Sequence, residues 1–164
     1  SYNNNEPVVV AVLALEGLRR LDDAHCWGAR DTLIERLGQV IAGRTRGDDL
    51  VGRFADGRFV VLLRRLDSGL GRLIAEKMLA AANDCVAQLG RAGPGPEPAP
   101  DEPAPQGRIR LRIGLAGSGL ARPPLRELLG NAMDAVEHAR KHSVTIGTDL
   151  PPVAASVPQA EKGR

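Results

Sequence analysis

RGDDLVGRFADGRFVVLL, residues 46–63, is the stretch that decides the fold. Two strand-like runs, Leu50–Phe54 and Arg58–Leu63, flank the dipeptide Asp56-Gly57. An Asp-Gly pair between apolar runs is typical of a tight hairpin turn, because glycine accepts the positive φ angle that such turns require. The sequence therefore predicts a β-hairpin here.

The residues before the hairpin predict a buried strand followed by a helix. Residues 8–15 form a nearly continuous apolar run rich in β-branched side chains, which is typical of a central strand covered on both faces. Apolar residues then recur at helical spacing from Leu33 to Ile41. Asp31 is placed to cap or charge the start of this helix, and Gly43 to end it.

Two more helices and one more strand are predicted after the hairpin. Apolar side chains at helical spacing over residues 73–89 predict a long amphipathic helix, and those over residues 125–139 predict the last helix. Between them, alternating apolar residues over 108–115 predict a strand. Its other face carries three arginines, which we expect to meet solvent or a partner: Arg108, Arg110 and Arg112. With a short edge strand at residues 144–146, the order predicts an α+β sheet domain.

Proline-rich and polar segments mark the limits of the domain and one insertion. Half of the twelve residues PGPEPAPDEPAP, 94–105, are proline. Such a segment lacks the apolar side chains that offset ordering entropy, so we predict that residues 91–107 are a disordered surface insertion. Residues 149–164 are predicted to be a disordered tail, and residues 1–6 a cloning remnant or the end of a linker. The folded domain is then 7–148.

Composition limits the classes of partner. The 164 residues are 43% apolar, enough for one core, and the net charge of +2 gives no global excess that would favour nucleic acid. The longest apolar stretch, residues 7–15, is under half of the about 20 residues that cross a bilayer. Two distant cysteines, Cys26 and Cys85, fit a reducing compartment. We therefore expect a cytoplasmic protein, or the soluble domain of a membrane-anchored one, with no direct membrane insertion.

The chain resembles GGDEF domains. LALEGLRRLDDAHCWGARDTLI, residues 13–34, is similar without a gap to the family's opening pattern LDLDxFKxINDxxGHxxGDxxL. The register then brings residues 46–59 onto RxxDLxxRxGGDEF, and IAEKM, RIGLA and HARK resemble later blocks. The signature pentapeptide thus corresponds to Ala55, Asp56, Gly57, Arg58 and Phe59. The resemblance covers residues 7–146 and implies a nucleotidyl-cyclase-like fold, with a central, mostly antiparallel sheet flanked by helices.

The same resemblance implies that the catalytic metal ligands are missing. Joining two GTP molecules requires divalent metal held by carboxylates, and the two family positions are Ala14 and Gly57. The normally acidic fourth signature position is Arg58. Glu16 shares a strand face with Ala14 but lies about 6.6 Å further along, and Asp56 is one residue out of register. We therefore expect a degenerate cyclase with no metal site and no cofactor.

Some features of the substrate site persist. In the resemblance, Asp31 matches an aspartate that contacts guanine, Asp22 replaces an asparagine, and Arg19 replaces a phosphate-facing lysine. Residual GTP binding is one interpretation. The other is that Asp31 belongs to a helix start and Arg19 is a solvated charge.

Arg46 and Asp49 form the retained motif. An arginine fork and a carboxylate can read the two opposite hydrogen-bonding edges of guanine. The resemblance implies that this RxxD is the inhibitory product site, which holds stacked cyclic di-GMP and often bridges two domains. Lys77 falls where a third cation is usual, although lysine lacks arginine's bidentate contact. The alternative is that Arg46 and Asp49 are exposed loop charges.

Three functions are therefore compatible with the sequence. The one we favour is a cyclic di-GMP receptor or regulatory module, acting through the RxxD site as a ligand-bridged homodimer or with a protein partner. The second is a pseudo-enzyme scaffold that binds no nucleotide and only dimerises or docks a partner. The third is an active cyclase with unconventional metal ligands.

Overall fold

The computed structural model describes residues 6–18, 28–55, 57–91, 109–119 and 122–150. Their secondary structure follows the order β-α-β-β-α-β-α-β. The elements are β1 (Val8–Glu16), α1 (Ala29–Ala42), β2 (Leu50–Ala55), β3 (Arg58–Arg64), α2 (Ser68–Arg91), β4 (Arg110–Gly117), α3 (Leu125–Lys141) and β5 (Ile146–Asp149). The predicted hairpin is present as β2 and β3, joined at a turn where Gly57 has φ +65°.

One mixed sheet organises these elements. Its five strands lie in the order β2-β3-β1-β4-β5. Neighbouring strands are antiparallel except for β4 and β5, which are parallel. The apolar run of β1 occupies the centre, where both of its faces are covered. The α+β fold with a mostly antiparallel sheet is therefore confirmed.

The helices cover the two faces of the sheet. Because side chains alternate along a strand, Val9, Ala11 and Leu13 pack on one side with residues of α1 and α2. Val10, Val12 and Ala14 pack on the other side with α3. The backbone of α3 lies so close to β4 and β5 that a Cβ atom on Gly114 or Gly147 would collide with it.

The strand register separates two ends of the sheet. Leu50 pairs with Leu62, and Val8 with Arg64, so β2 begins at the end of the sheet where β3 finishes. Since α1 precedes β2 and α2 follows β3, the C-terminus of α1 and the N-terminus of α2 lie at this same end. The β2–β3 turn lies at the opposite end, beside the C-terminus of β1. The RxxD segment and the signature turn are therefore at opposite ends of the sheet.

Several predicted boundaries are corrected. The edge strand is Ile146–Asp149 instead of 144–146, because the Val144 amide still donates to Ala139 O in the turn that ends α3. Asp149 thus belongs to a strand, not to the predicted tail, and Leu150 packs against the core. α2 extends through Arg91, the first residue of the predicted insertion. The rest of that insertion, residues 151–164 and residues 1–5 lie outside the described part of the chain.

Of the two roles predicted for Asp31 at the start of α1, the structure supports charging of the first turn and not capping. Gly28, with φ +91°, is the N-cap residue, and Asp31 lies in the first turn of the helix. There its carboxylate complements the positive end of the helix dipole. Gly43 ends the helix as predicted.

Candidate functional site

The β2–β3 turn is crowded at Gly57. Gly57 O accepts a 2.8 Å hydrogen bond from the Leu15 amide, which pulls the turn against the end of β1. A Cβ atom on Gly57 would lie 2.5 Å from Leu18 Cδ1 and 3.1 Å from Leu15 Cβ. The positive φ angle adds backbone strain for any other residue. A side chain at this position would therefore displace the end of the Leu18 side chain and crowd Leu15.

The other residues of the pentapeptide form an ordinary hairpin. Ala55 pairs with Arg58 across the turn, and Arg58 also pairs with Ala14 of β1. Phe59 is buried in the core beside α1. Asp56 lies outside the described residues.

Ala14 carries no metal ligand, and the carboxylate of Glu16 is engaged by Arg112. Ala14 is buried in the apolar cluster beneath α3, so its neighbours offer packing contacts instead of oxygen ligands. Glu16 Oε1 accepts a 2.9 Å hydrogen bond from Arg112 Nε. Within the described ranges, no group of three or more His, Cys, Asp or Glu side chains is arranged to hold a metal. The residues at these positions do not fit the metal that the fold family implies.

Arg112 corrects the expectation of a solvated arginine face. Its side chain is 9% exposed, and its Nη1 donates to Ala139 O and Val144 O at the end of α3. The strand alternation was predicted correctly, but this face is covered by α3 at Arg112 and open at Arg110. Arg108 lies outside the described residues. Arg112 thus joins β1 and β4 to the turn before β5.

Arg46 and Asp49 are in direct contact in the segment between α1 and β2. Arg46 Nη2 lies 3.3 Å from Asp49 Oδ1, and the Arg46 amide donates to Asp49 Oδ2 at 2.8 Å. Asp49 Oδ1 also accepts from the Arg64 amide at 3.0 Å, while Arg46 Nη2 donates to Arg64 O at 2.5 Å. The two side chains therefore hold the loop against the end of β3. We call this arrangement the RxxD clasp, formed by Arg46, Asp49 and the backbone of Arg64.

Exposure differs sharply between the two residues of the motif. The side chain of Asp49 is 1% exposed, whereas that of Arg46 is 49% exposed. The interpretation of Asp49 as an exposed loop charge is therefore wrong. Burial alone would raise the pKa of Asp49, but hydrogen bonds from the Arg46 amide, the Arg46 guanidinium and the Arg64 amide outweigh it. The pKa of Asp49 is lowered, and the carboxylate is held ionised.

The Asp49 carboxylate is already saturated. It accepts from the Arg46 amide, Arg46 Nε, Arg46 Nη2 and the Arg64 amide, two donors on each oxygen. A carboxylate offers about four lone-pair positions. Reading a guanine edge would therefore require Asp49 to exchange one of its present donors.

Sequence reasoning missed the charged residues that surround the clasp. Arg65 Nε lies 3.0 Å from Glu6 Oε1, and Arg65 Nη1 lies 3.0 Å from Asp48 Oδ2. Hydrogen bonding to Glu6, with the charges of Glu6 and Asp48, raises the pKa of Arg65. The sequence places Glu6 and Arg65 far apart, and only the pairing of β1 with β3 brings them together.

Lys77 is exposed on α2, the helix that begins at the clasp end of the sheet. It lies more than two turns along that helix from the clasp end, and it is not part of the clasp. Of the residues matched to the substrate site, Asp31 is exposed in the first turn of α1. Arg19 and Asp22 lie outside the described residues.

Solved structures with the same architecture are GGDEF domains. An EAL/GGDEF domain protein from M. capsulatus is 25% identical with a TM-score of 0.63, over 91% of this chain and 88% of that one. The GGDEF domain of YfiN, also called TpbB, from Pseudomonas aeruginosa is 25% identical with a TM-score of 0.64, over 91% and 84%. This chain has the GGDEF-domain fold. No family model matches its sequence, and no curated protein is significantly similar to it.

A third GGDEF domain was solved with a ligand. It belongs to DgcB from Caulobacter crescentus, in complex with c-di-GMP, and is 15% identical with a TM-score of 0.65, over 87% of this chain and 78% of that one. At this identity the likeness concerns the GGDEF fold alone. Among the described residues of our chain, no helix has the length and apolar character needed to span a bilayer.

Proposed function

We propose that this domain is a catalytically inactive GGDEF domain that binds cyclic di-GMP through Arg46 and Asp49. The observation that carries the proposal is the direct contact of these two side chains, at RxxD spacing, on the GGDEF fold. A GGDEF domain solved with c-di-GMP supports the choice of ligand class. An arginine fork matches guanine O6 and N7, and a carboxylate matches N1–H and N2–H₂.

Inactivity would follow from the residues at the two positions that hold metal in the resemblance, Ala14 and Gly57. Ala14 is a buried methyl group beneath α3, and Gly57 is pressed against Leu15 and Leu18. With GTP and magnesium or manganese, we expect no cyclic di-GMP above background, and Ala14→Asp alone should restore none. Product that scales with protein concentration and disappears in Arg58→Ala or Glu16→Ala would contradict the proposal.

Binding at the RxxD site starts from a closed clasp. The half-exposed Arg46 guanidinium is the group that a ligand meets first. Its contacts with Asp49, at 3.3 and 3.4 Å, are the longest in the clasp, so a guanine base would replace these first and the Arg46 contact with Arg64 O after them. Opening the clasp subtracts from the binding free energy, and Lys77 would then add a phosphate contact.

Calorimetric titration of the full chain with cyclic di-GMP tests this proposal. Arg46→Ala should weaken binding by about ten- to hundredfold, the loss of one bidentate guanine contact of about 1–3 kcal/mol. Lys77→Ala should cost less. Arg72→Ala is the matched control, because Arg72 is an exposed arginine paired only locally with Glu76 on α2. Two ligands per domain and a ligand-dependent increase in mass would support a ligand-bridged homodimer.

The scaffold function is the competing proposal, and two observations favour it. Asp49 is saturated by the protein itself, and the edge strand β2 exposes Leu50 (53%) and Phe54 (42%). Absence of heat at high cyclic di-GMP concentration, with a dimer that Leu50→Ser/Phe54→Ser dissociates, would establish the scaffold instead.

A further inference from the structure

Arg65 connects the RxxD loop to the residues that lead into β1. Its guanidinium bridges Glu6, just before β1, and Asp48, inside the RxxD loop. Arg64 Nη2 adds a longer contact of 3.7 Å to Glu6 Oε2, and the Leu66 amide donates to Pro7 O at 3.4 Å. The turn after β3 therefore holds Glu6 and Pro7 through both side-chain and backbone contacts. We call these two residues, which lead into β1, the chain entry.

The backbone of Arg65 is held in an unfavourable conformation. Its φ angle is +57°, in the left-handed region that non-glycine residues rarely adopt. Such a residue persists only when its surroundings over-determine it. Three hydrogen bonds do so here. Arg46 Nη2 donates to the carbonyl oxygen of the preceding residue, Arg64, and the Arg65 side chain donates to the carboxylates of Glu6 and Asp48. Arg65 is thus a strained residue, restrained in part by the arginine of the RxxD motif.

A guanine base at the clasp would remove one of these restraints, and this step rests on the function proposed above. The base occupies the fork of Arg46, so Arg46 Nη2 leaves both Asp49 Oδ1 and Arg64 O. The peptide between Arg64 and Arg65 then loses the hydrogen bond that Arg46 donates to it. Relaxation of Arg65 out of the left-handed region redirects its side chain away from Glu6 and Asp48.

We propose that Arg65 couples the RxxD site to the segment preceding β1. With the clasp closed, Glu6 is held against the loop; with a ligand on Arg46, Glu6 and Pro7 are released. Because coupling is reciprocal, a restraint imposed on the segment before β1 alters ligand affinity by the same factor. Ligand binding at the RxxD site thereby changes the restraint on Glu6 and Pro7, the residues that precede β1.

The coupling is testable without any ligand by amide hydrogen exchange of the full chain. The reporters are the amides of Arg46, Asp49 and Leu66, whose acceptors belong to the clasp or to the chain entry. Glu6→Gln should raise exchange several-fold at Arg46 and Asp49, although it changes no residue of the RxxD loop. Arg72→Ala, which breaks the exposed Arg72–Glu76 pair, is the control. If Glu6→Gln and Arg72→Ala give the same exchange at Arg46 and Asp49, the coupling is refuted.

Three substitutions at Arg65 separate its charge from its strain. Arg65→Lys keeps a cation and the strain, Arg65→Ala keeps only the strain, and Arg65→Gly removes both. We expect Arg65→Ala to loosen the Leu66 amide, Arg65→Lys to retain much of its protection, and Arg65→Gly to be more stable than Arg65→Ala. Equal stability of the glycine and alanine variants would show that φ at this residue stores no strain.

Cyclic di-GMP is the probe for the ligand-driven step. It should increase exchange at Leu66, and Glu6→Gln should bind it about two- to fivefold more tightly, as expected when one exposed ion pair no longer opposes opening. If cyclic di-GMP binds while the Leu66 amide stays protected from exchange, and if Glu6→Gln binds it with the affinity of the wild type, the proposed release of Glu6 and Pro7 is wrong. No binding at all would reject the receptor function and the ligand-driven release with it, while the exchange experiment on Glu6→Gln decides the coupling independently.

Discussion

Asp49→Asn tests whether the buried carboxylate holds the RxxD loop. The amide keeps one oxygen, but its NH₂ group replaces the oxygen that accepts from the Arg46 amide, so two donors face each other. The ion pair with Arg46 is lost as well. Hydrogen bonds to a charged group contribute about 1.5–3 kcal/mol each, and partial relaxation leaves a net loss of about 2–4 kcal/mol. For a domain of this size, that loss lowers Tm by about 5–12 °C.

The assay is chemical and thermal unfolding beside a matched control. Asp48 is the adjacent residue, its side chain is 58% exposed, and Asp48→Asn should change the unfolding free energy by no more than about 0.5 kcal/mol. If Asp49→Asn and Asp48→Asn are equally stable, the clasp does not hold the loop, and the RxxD site is not closed.

The same variant has a defined pH signature. Because the pKa of Asp49 is lowered from its ordinary value of 3.8, the unfolded state binds more protons than the folded state near that pH. The carboxylate's contribution to stability is therefore complete above about pH 4–5 and is lost as the pH falls through the lower pKa of the folded state. The difference in unfolding free energy between wild type and Asp49→Asn should shrink on acidification. If this difference in unfolding free energy grows below pH 4, the predicted direction of the pH dependence is wrong.

Two further predictions concern stability elsewhere in the domain. Gly57→Ala should lower the unfolding free energy by about 1–2 kcal/mol, because the residue has a positive φ angle and the added Cβ atom crowds Leu15. Gly47→Ala, where nothing lies within 4 Å of a Cβ atom, is the control in the same denaturation series. Arg112→Ala should cost about 2–4 kcal/mol, because it removes the guanidinium that donates to Glu16, Val144 O and Ala139 O, while Arg110→Ala on the exposed part of β4 should be near neutral. Equal effects of the two arginine variants would show that Arg112 is not a structural residue.

The candidate site was predictable in outline because its recognition depends on spacing along the chain. Arg46, Asp49 and the turn at Gly57 lie within a dozen residues, so the sequence alone places the first two between a helix and the hairpin and Gly57 in the hairpin turn. It does not say which face each residue presents. That is why Arg112 was expected to be solvated: strand alternation is local, whereas coverage by α3 is a long-range contact.

The sequence by itself determined the α+β element order, the hairpin at Gly57 and the absence of carboxylate side chains at residues 14 and 57. These features follow from local periodicity, turn chemistry and residue identity, which act over a few residues. Only the tertiary structure decided that Asp49 is buried and saturated, and that Arg65 meets Glu6. The saturation of Asp49 depends on the backbone amide of Arg64 in β3. The Arg65–Glu6 contact joins residues some sixty positions apart and depends on the pairing of β1 with β3, whose register is fixed by packing of the whole sheet.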